Sequence, residues 1–284
     1  MAREQLQVDM REAVESGGKL PVNSAESQPG RLRISDVIAS VLKNLKSVMK
    51  LLVWEGLNPL VLGLKRHRRY TFDPAYAGIN LGCGMNNAGN WLGIDGGVYV
   101  LLQKAPPTIV RMSYPLMTMK KEYSRDEYVK RIRSMTVLHH ELDYGIPFND
   151  NTVPAVFSSH FLEHVGHREA QKLLGECFRV LKPGGIIRIV VPSLDTEVQR
   201  IRQALERYEA GEITDIQPFV TTNVVGYSNK YSNHRWMYNF TELRSALETA
   251  GFTQVVEQSY RKGRIPDVEK LDNRGGLLVE AIKP

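Results

Sequence analysis

The chain has little cysteine and no long apolar run. Its 284 residues include only two cysteines, Cys83 and Cys177, and their spacing is not that of metal-binding pairs. A disulfide scaffold is therefore not expected, and a reducing compartment fits. Residues 1–30 are polar and lack the apolar segment of a secretory signal. The apolar stretches further on are too short and too interrupted to span a bilayer. We therefore predict a cytoplasmic location.

Positive charge is concentrated near the start of the chain. The net charge is +6, and residues 1–70 hold 12 of the 37 Lys and Arg but only 7 of the 31 Asp and Glu. The other 214 residues are close to neutral, with 25 basic and 24 acidic side chains. A nucleic-acid enzyme more often carries a basic face across its catalytic domain. We therefore predict that nucleic acid is not a partner.

Two segments precede the region of strand and helix patterns. Residues 1–33 show no hydrophobic period, which predicts a flexible segment. Residues 34–70 place apolar side chains at helical spacing and end in the basic run Lys65–Arg69. One interpretation is an amphipathic helix that makes peripheral contact with a membrane. The other, which we favour, is a helix that packs on the catalytic domain or mediates a homo-oligomer.

From residue 71 to residue 284, strand patterns alternate with helix patterns. The predicted strands are 76–81, 91–95, 136–141, 154–159, 186–191, 253–259 and 276–282. The predicted helices cover 168–181, 196–209 and a segment from Thr241. This order predicts a Rossmann-like, doubly wound α/β fold with a mainly parallel sheet of seven strands.

Two longer connections are expected to act as lids over a site. They cover about 97–135 and 196–240. The first contains Ser124 followed three residues later by Glu127, which is the spacing of a capping box at the start of a helix. The tyrosines Tyr114, Tyr123 and Tyr128 either contact substrate or only pack.

The first of three motifs begins at Ile79 and reads INLGCG, and it is followed by WLGID ending at Asp95. Glycines directly after a strand allow a ligand to lie against the backbone. An acidic residue at the end of the next strand can accept hydrogen bonds from two ribose hydroxyls. Only 11 residues separate Gly84 from Asp95. This is short for a nicotinamide-binding unit and argues against NAD.

The other two motifs follow the fourth predicted strand and surround the fifth. One reads SSHFLEH from Ser158, and the other reads FRVLKPGGIIRIVVP from Phe178. The carboxyl ends of parallel strands face the ligand in such folds, so Ser159 and His160 are expected there. Pro183 ends a helix and the following glycines permit a turn, which gives this motif a structural role.

In this order the three motifs resemble those of class I S-adenosylmethionine-dependent methyltransferases. The resemblance covers about residues 76–284, and it implies S-adenosylmethionine as cofactor. It implies that the cofactor is held by Asn80, Gly82, Cys83, Gly84, Asp95, Ser159, His160 and, at the adenine, Glu141 with Leu142 or alternatively Asp143. The shortened first crossover and Pro154, which stands where the family often has Asp, depart from the family pattern.

Residues 227–238 resemble those of a methyltransferase branch encoded with glycan-assembly enzymes. The polar and aromatic side chains here suit a hydroxylated acceptor, and we predict that Tyr231, Arg235 and Tyr238 bind it. His160 or His234 is expected to act as general base. A divalent metal is left open, because no clear ligand set is visible. The predicted function is O-methylation of a saccharide or glycan precursor. The alternatives are methylation of another small metabolite at oxygen or nitrogen, or a cofactor-binding adaptor without catalysis.

Overall fold

The computed structural model describes residues 52–117, 123–216 and 234–284, all within one compact unit. The predictions for residues 1–51, including most of the amphipathic helix, lie outside the described residues. The helices are α1 Asn58–Lys65, α2 Pro107–Ser113, α3 Arg125–Ser134, α4 His167–Val180, α5 Leu194–Glu209, α6 Phe240–Thr249 and α7 Val268–Leu271. The strands are β1 Gly78–Leu81, β2 Trp91–Asp95, β3 Val137–His139, β4 Val153–Ser159, β5 Leu181–Val191, β6 Thr253–Glu257 and β7 Leu277–Ile282.

The seven strands form one sheet in the order β3-β2-β1-β4-β5-β7-β6. Five neighbouring strands are parallel, and β7 is antiparallel to both β5 and β6. On β5, Ile187, Ile189 and Val191 belong to a core cluster with α4 and α6, whereas Val190 belongs to a second cluster with Trp91 and Phe157. Because alternate side chains enter different clusters, both faces of the sheet are covered. The predicted Rossmann-like α/β fold is confirmed.

The fifth strand is longer than the pattern predicted. It begins at Leu181, which pairs with Val153, and the pairing resumes only at Ala155 with Ile186. Residues 182–185 therefore form a bulge inside the strand, with Gly184 at φ +75°. The turn we expected between helix and strand is this bulge, because Leu181 pairs directly after the end of α4.

Pro59 lies in the first turn of α1. Proline lacks the N–H that would have no partner in a first turn anyway, so α1 starts with Pro59 near its first position. A π-helical turn, Leu52–Leu57, precedes it. Leu57, Leu60 and Leu64 are all at least half exposed. In the part of the chain that the structure describes, no helix is long and apolar enough to cross a membrane.

The connection after β2 folds on its own cluster of buried side chains. Ser124 caps α3, and the reciprocal bonds with Glu127 form the predicted capping box. Tyr128 and Ile132 of α3 pack with Val110 of α2 in this cluster. Tyr128 is therefore a packing residue of the insertion, and its hydroxyl pairs with Ser113.

A polar chain joins α1 to the ends of β3 and β2. Lys65 Nζ lies 3.1 Å from His139 Nδ1, His139 Nε2 lies 3.0 Å from Asn58 Oδ1, and the Asn58 amide donates to the carbonyl of Gly96. Burial, and then the neighbouring Lys65, lowers the pKa of His139 from 6.5 to about 4. The imidazole is therefore neutral in the fold at neutral pH.

We expect His139 to lower the free energy of unfolding as the solution becomes more acidic. In the unfolded chain the His139 imidazole takes up a proton near pH 6.5, and in the folded chain only near pH 4. The contribution of neutral His139 to the free energy of unfolding is therefore complete above pH 6.5 and is lost as the pH falls from 6.5 to about 4. The full loss is about 3 kcal/mol. Urea unfolding at pH 7 and pH 4.5 should show a smaller loss for His139→Gln than for the wild type. Equal losses would contradict this role. Some loss should persist in the variant, because burial also lowers the pKa of His140.

Candidate cofactor and acceptor site

The site lies where the strand order reverses. β1 stands between β2 and β4, and Leu81 is level with Ser158 on the neighbouring strand. The loop after β1 and the loop after β4 therefore leave the sheet side by side. In open α/β sheets, this crevice at the carboxyl ends of the strands is where ligands bind.

The loop after β1 turns tightly through two left-handed glycines. Gly82 and Gly84 have φ angles of +60° and +55°, and the N–H of Gly82 donates to Ile94. A Cβ at Gly82 would lie 2.2 Å from the ring of Phe161, whereas the space around Gly84 is open. The amide of Asn80 donates to Asn86 and Asn87 and thereby fixes the following turn.

Cys83 contributes its backbone to this loop rather than its thiol. The thiol is buried, and its sulfur would lie 2.6 Å from a Cβ on Gly93. Burial, followed by the charge of Asp95, raises the pKa of this thiol well above its usual value. A reactive thiolate is therefore not expected at this position.

Asp95 ends β2 and connects the first loop to the second. Its Oδ2 accepts from the N–H of Gly84 at 2.9 Å, and its Oδ1 accepts from the N–H of Gly97 at 2.7 Å. A carboxylate has about four lone-pair positions, and the Tyr99 hydroxyl also interacts with this one, so there is still room for a donor from a ligand. A ribose hydroxyl is a donor of this kind.

Glu141 and Asp143 are placed differently. Glu141 follows β3, and its Oε2 would lie 3.0 Å from a Cβ on Gly96, beside Asp95. Burial first, and then the charges of Asp143 and Asp95, raises the pKa of Glu141. Asp143 is exposed, and Leu142 is buried in the core. The geometry therefore favours Glu141 over Asp143 as the acidic residue that faces the ligand.

A cavity of about 210 Å³ adjoins the glycine loop. Its lining is mainly polar and combines the loop after β1, the end of β4 and the segment before β7. The lining residues are Asn80, Gly82, Cys83, Gly84, Met85, Asn86, Tyr123, Phe157, Ser159, His160, Leu271, Asn273 and Arg274. The structure thus brings together Ser159, His160 and the glycine loop, as the sequence predicted, and Tyr123 joins them.

His160 occupies a constrained position at this cavity. Its φ is +50°, and its N–H donates to Val190. Nε2 lies 3.0 Å from the carbonyl of Gly275, and Nδ1 lies 3.3 Å from Glu163 Oε1. A carbonyl only accepts, so the imidazole hydrogen is assigned to Nε2, and Nδ1 faces the carboxylate.

His234 lies in a separate group with Glu163 and His164. The ligand atoms of these three residues lie within 4.8 Å of one another, and His234 does not line the cavity. Burial lowers the pKa of His234, although the charge of Glu163 opposes this effect. The imidazole of His234 is therefore directed to Glu163 and His164 rather than to the glycine loop.

Three other residues, near His234 in sequence, were predicted to bind the acceptor, and the structure places them differently. Tyr238 is only 1% exposed and belongs to the main core, so the prediction that it contacts substrate is corrected. It packs there because its backbone carbonyl binds the N–H of Leu194 at the start of α5. Arg235 is exposed, and Tyr231 lies outside the described residues.

The segment before β7 was missed as a wall of the cavity. The sequence signal for it is the polar stretch from Leu271 to Arg274, directly before the last predicted strand. A buried ionic network fixes this segment. The Arg188 guanidinium is fully buried, with Nε 2.9 Å from Asp272 Oδ1 and Nη1 3.0 Å from Glu280 Oε1. Backbone N–H groups of Arg264 and Ile265 also donate to Glu280.

Comparisons with known proteins agree with this arrangement. Residues 80–189 match a family described as a methyltransferase domain. A curated protein of Mycolicibacterium smegmatis (strain ATCC 700084 / mc(2)155), a probable S-adenosylmethionine-dependent methyltransferase, is 29% identical over 137 residues. The aligned part is 48% of this chain and 42% of that protein, so the chain spans less than half the length of this curated relative.

Solved structures are similar only at low identity. A SAM-dependent methyltransferase from Archaeoglobus fulgidus is 16% identical, with coverage of 84% of this chain and 99% of that one and a TM-score of 0.39. Phosphoethanolamine N-methyltransferase 2 of Haemonchus contortus, solved with S-adenosyl-L-methionine, is 15% identical, with coverage of 80% and 52% and a TM-score of 0.38. Similarity at this level carries no substrate over to this chain.

The matched segment runs from β1 into β5 and contains the glycine loop, Asp95 and His160. This segment is similar to a methyltransferase domain, and the curated relative is a probable S-adenosylmethionine-dependent methyltransferase. The residues present fit this cofactor. The glycine loop leaves open space at Gly84, Asp95 keeps room for a ribose hydroxyl, and Glu141 stands beside it.

Proposed function

We propose that this protein transfers the methyl group of S-adenosylmethionine to a hydroxyl of a saccharide or glycan precursor. The observation that carries the proposal is the shared cavity of the glycine loop and the end of β4. The cofactor supplies an electrophilic methyl group on a sulfonium. The protein has to hold the acceptor oxygen in line with that group, and orientation of this kind supplies up to about 7–11 kcal/mol.

The polar lining supports a hydroxylated acceptor. Asn273 and Arg274 come from the segment before β7, and Tyr123 comes from the insertion after β2. Amide, guanidinium and phenol groups offer several donors and acceptors that suit neighbouring hydroxyls. An apolar pocket would suit a lipid-like or aromatic acceptor better.

Methyl transfer should be measured with radiolabelled S-adenosylmethionine and two panels of acceptors. The first panel contains glycosides and glycan precursors, and the second contains primary and secondary amines. We expect turnover in the first panel. Arg274→Ala should raise KM for the acceptor, whereas Arg244→Ala, on the exposed face of α6, should not. Turnover with amines alone would favour the alternative acceptor class. Cofactor binding without turnover in either panel would favour an adaptor.

We assign the role of general base to His160, because it lines the cavity and His234 does not. Accepting a proton at Nε2 requires that the contact with the Gly275 carbonyl open when the acceptor binds and that the imidazole hydrogen lie on Nδ1, where the Glu163 carboxylate can accept it. Catalytic hydrogen bonds are often rearranged in this way between free enzyme and complex.

His160→Gln is expected to lower kcat by about 10²–10⁴-fold, because a positioned base contributes an effect of this size. The exposed His67→Gln is the control and should keep wild-type turnover. The measurement is kcat at saturating acceptor, with cofactor affinity measured on the same preparations. A value for His160→Gln within a few-fold of the wild type would show that another group accepts the proton.

A further inference from the structure

The group formed by Glu163, His164 and His234 contains a buried carboxylate. The Glu163 side chain is 1% exposed, and among the described residues neither of its carboxylate oxygens has a hydrogen-bond partner. Two imidazole nitrogens lie close to its Oε1, His160 Nδ1 at 3.3 Å and His164 Nε2 at 3.9 Å. A buried charge that lacks compensation costs several kcal/mol, so this arrangement calls for a cation at its centre.

Backbone hydrogen bonds hold the three residues together without any ligand. Glu163 and His164 lie in the 3₁₀ turn Leu162–His164 that follows β4. The carbonyl of Glu163 accepts from the N–H of Arg235 at 2.7 Å and from that of Trp236 at 3.2 Å. These bonds place His234 beside the turn, and its buried Nδ1 has no hydrogen-bond partner in the part of the chain that the structure describes. The ligand atoms are therefore brought together by the fold itself.

The donor set selects the kind of cation. Two imidazoles and one carboxylate are typical ligands of zinc and of other first-row divalent metals, whereas calcium and magnesium prefer oxygen ligands. Bond lengths of about 2.0–2.1 Å place tetrahedral ligand atoms about 3.4 Å apart. The present separations, within 4.8 Å, need only small side-chain adjustments to reach this spacing.

We propose that Glu163, His164 and His234 bind one divalent transition-metal ion next to the methyl-transfer site. Three protein ligands leave one coordination position for water or another oxygen ligand. His160 adjoins both sites, because it lines the cofactor cavity and its Nδ1 lies 3.3 Å from Glu163. The site does not depend on the proposed acceptor, and metal binding can be measured without methyl transfer.

The test uses the full chain after treatment with a chelator, and zinc as the probe. Calorimetry is expected to show one saturable site, and zinc should raise the unfolding temperature of the wild type. Cobalt in the same site should give visible absorption bands. His234→Gln should weaken zinc binding at least about tenfold, because even outer-shell changes cost 10–100-fold. The matched control is His167→Gln, whose ring stacks on Trp236 outside the group and should leave zinc binding unchanged.

Glu163→Gln distinguishes a metal site from an ion pair between the carboxylate and the histidines. With a metal site, the metal-free variant folds at least as stably as the metal-free wild type, but zinc no longer raises its unfolding temperature. Two results would overturn the proposal. One is the absence of saturable zinc binding by the folded wild type, which would leave only an ion pair. The other is equal zinc affinity in the wild type and His234→Gln.

Discussion

Arg188→Met is expected to lower the free energy of unfolding by about 3–5 kcal/mol, because it leaves the buried Asp272 carboxylate without its cation and takes from Glu280 the nearer of its two cations. Asp272 and Glu280 are both fully buried at the side chain, and the guanidinium also donates to the backbone carbonyls of Ser259 and Lys262. One side chain on β5 thus connects β7 to the segment that forms one wall of the cavity.

The measurement is urea unfolding, and Arg244→Met is the matched control. Arg244 pairs with Glu248 one turn further along α6, and both side chains are about half exposed. An exposed pair of this kind contributes less than about 1 kcal/mol. If Arg188→Met lowers the free energy of unfolding by less than about 1 kcal/mol, the buried ionic network is not what mainly holds the segment before β7 in place.

Gly82→Ala is expected to weaken cofactor binding far more than an ordinary glycine substitution would. The new methyl group would lie 2.2 Å from the Phe161 ring, and the backbone would still have to hold φ +60°. Local strain of this kind amounts to about 1–3 kcal/mol. If the loop is displaced to relieve it, the affinity for the cofactor falls by about 5- to 150-fold.

Gly211→Ala is the control for this variant. Gly211 has φ +75°, lies in an exposed turn after α5 and has open space around it. It carries the same kind of backbone strain without the contact and away from the site. Calorimetry with S-adenosylhomocysteine should show wild-type affinity for Gly211→Ala. Equal affinities for both variants would mean that the glycine loop does not hold the cofactor.

Local patterns sufficed for the fold and for the cofactor loop. The alternation of strands and helices, the capping box at Ser124 and the glycines after β1 all depend on neighbours in sequence, so they are readable without a structure. The bulge in β5 was not predicted, because it arises from pairing with β4 and β7. Pro59 showed that a proline can begin a helix as well as end one.

Contacts between segments that are distant in the chain could not be predicted from the sequence. The network of Arg188 joins residues more than 70 positions apart, and the contact of His160 with Gly275 spans 115 positions. The group of Glu163, His164 and His234 also forms only when the segment after residue 233 returns to β4. Tyr238 was taken for a substrate residue because a polar aromatic side chain suits either an acceptor or a core, and only its burial decides between them.

Direct binding tests whether the loop after β1 and Asp95 hold S-adenosylmethionine. The measurement is a calorimetric titration of the wild type and of Asp95→Ala with S-adenosylhomocysteine, with unfolding curves to confirm that both are folded. We expect one site in the wild type and an affinity at least about tenfold lower in the variant, since hydrogen bonds to a charged group contribute about 1.5–3 kcal/mol. A folded wild type that does not bind, or a variant that binds equally well, would show that this loop and Asp95 do not hold the cofactor.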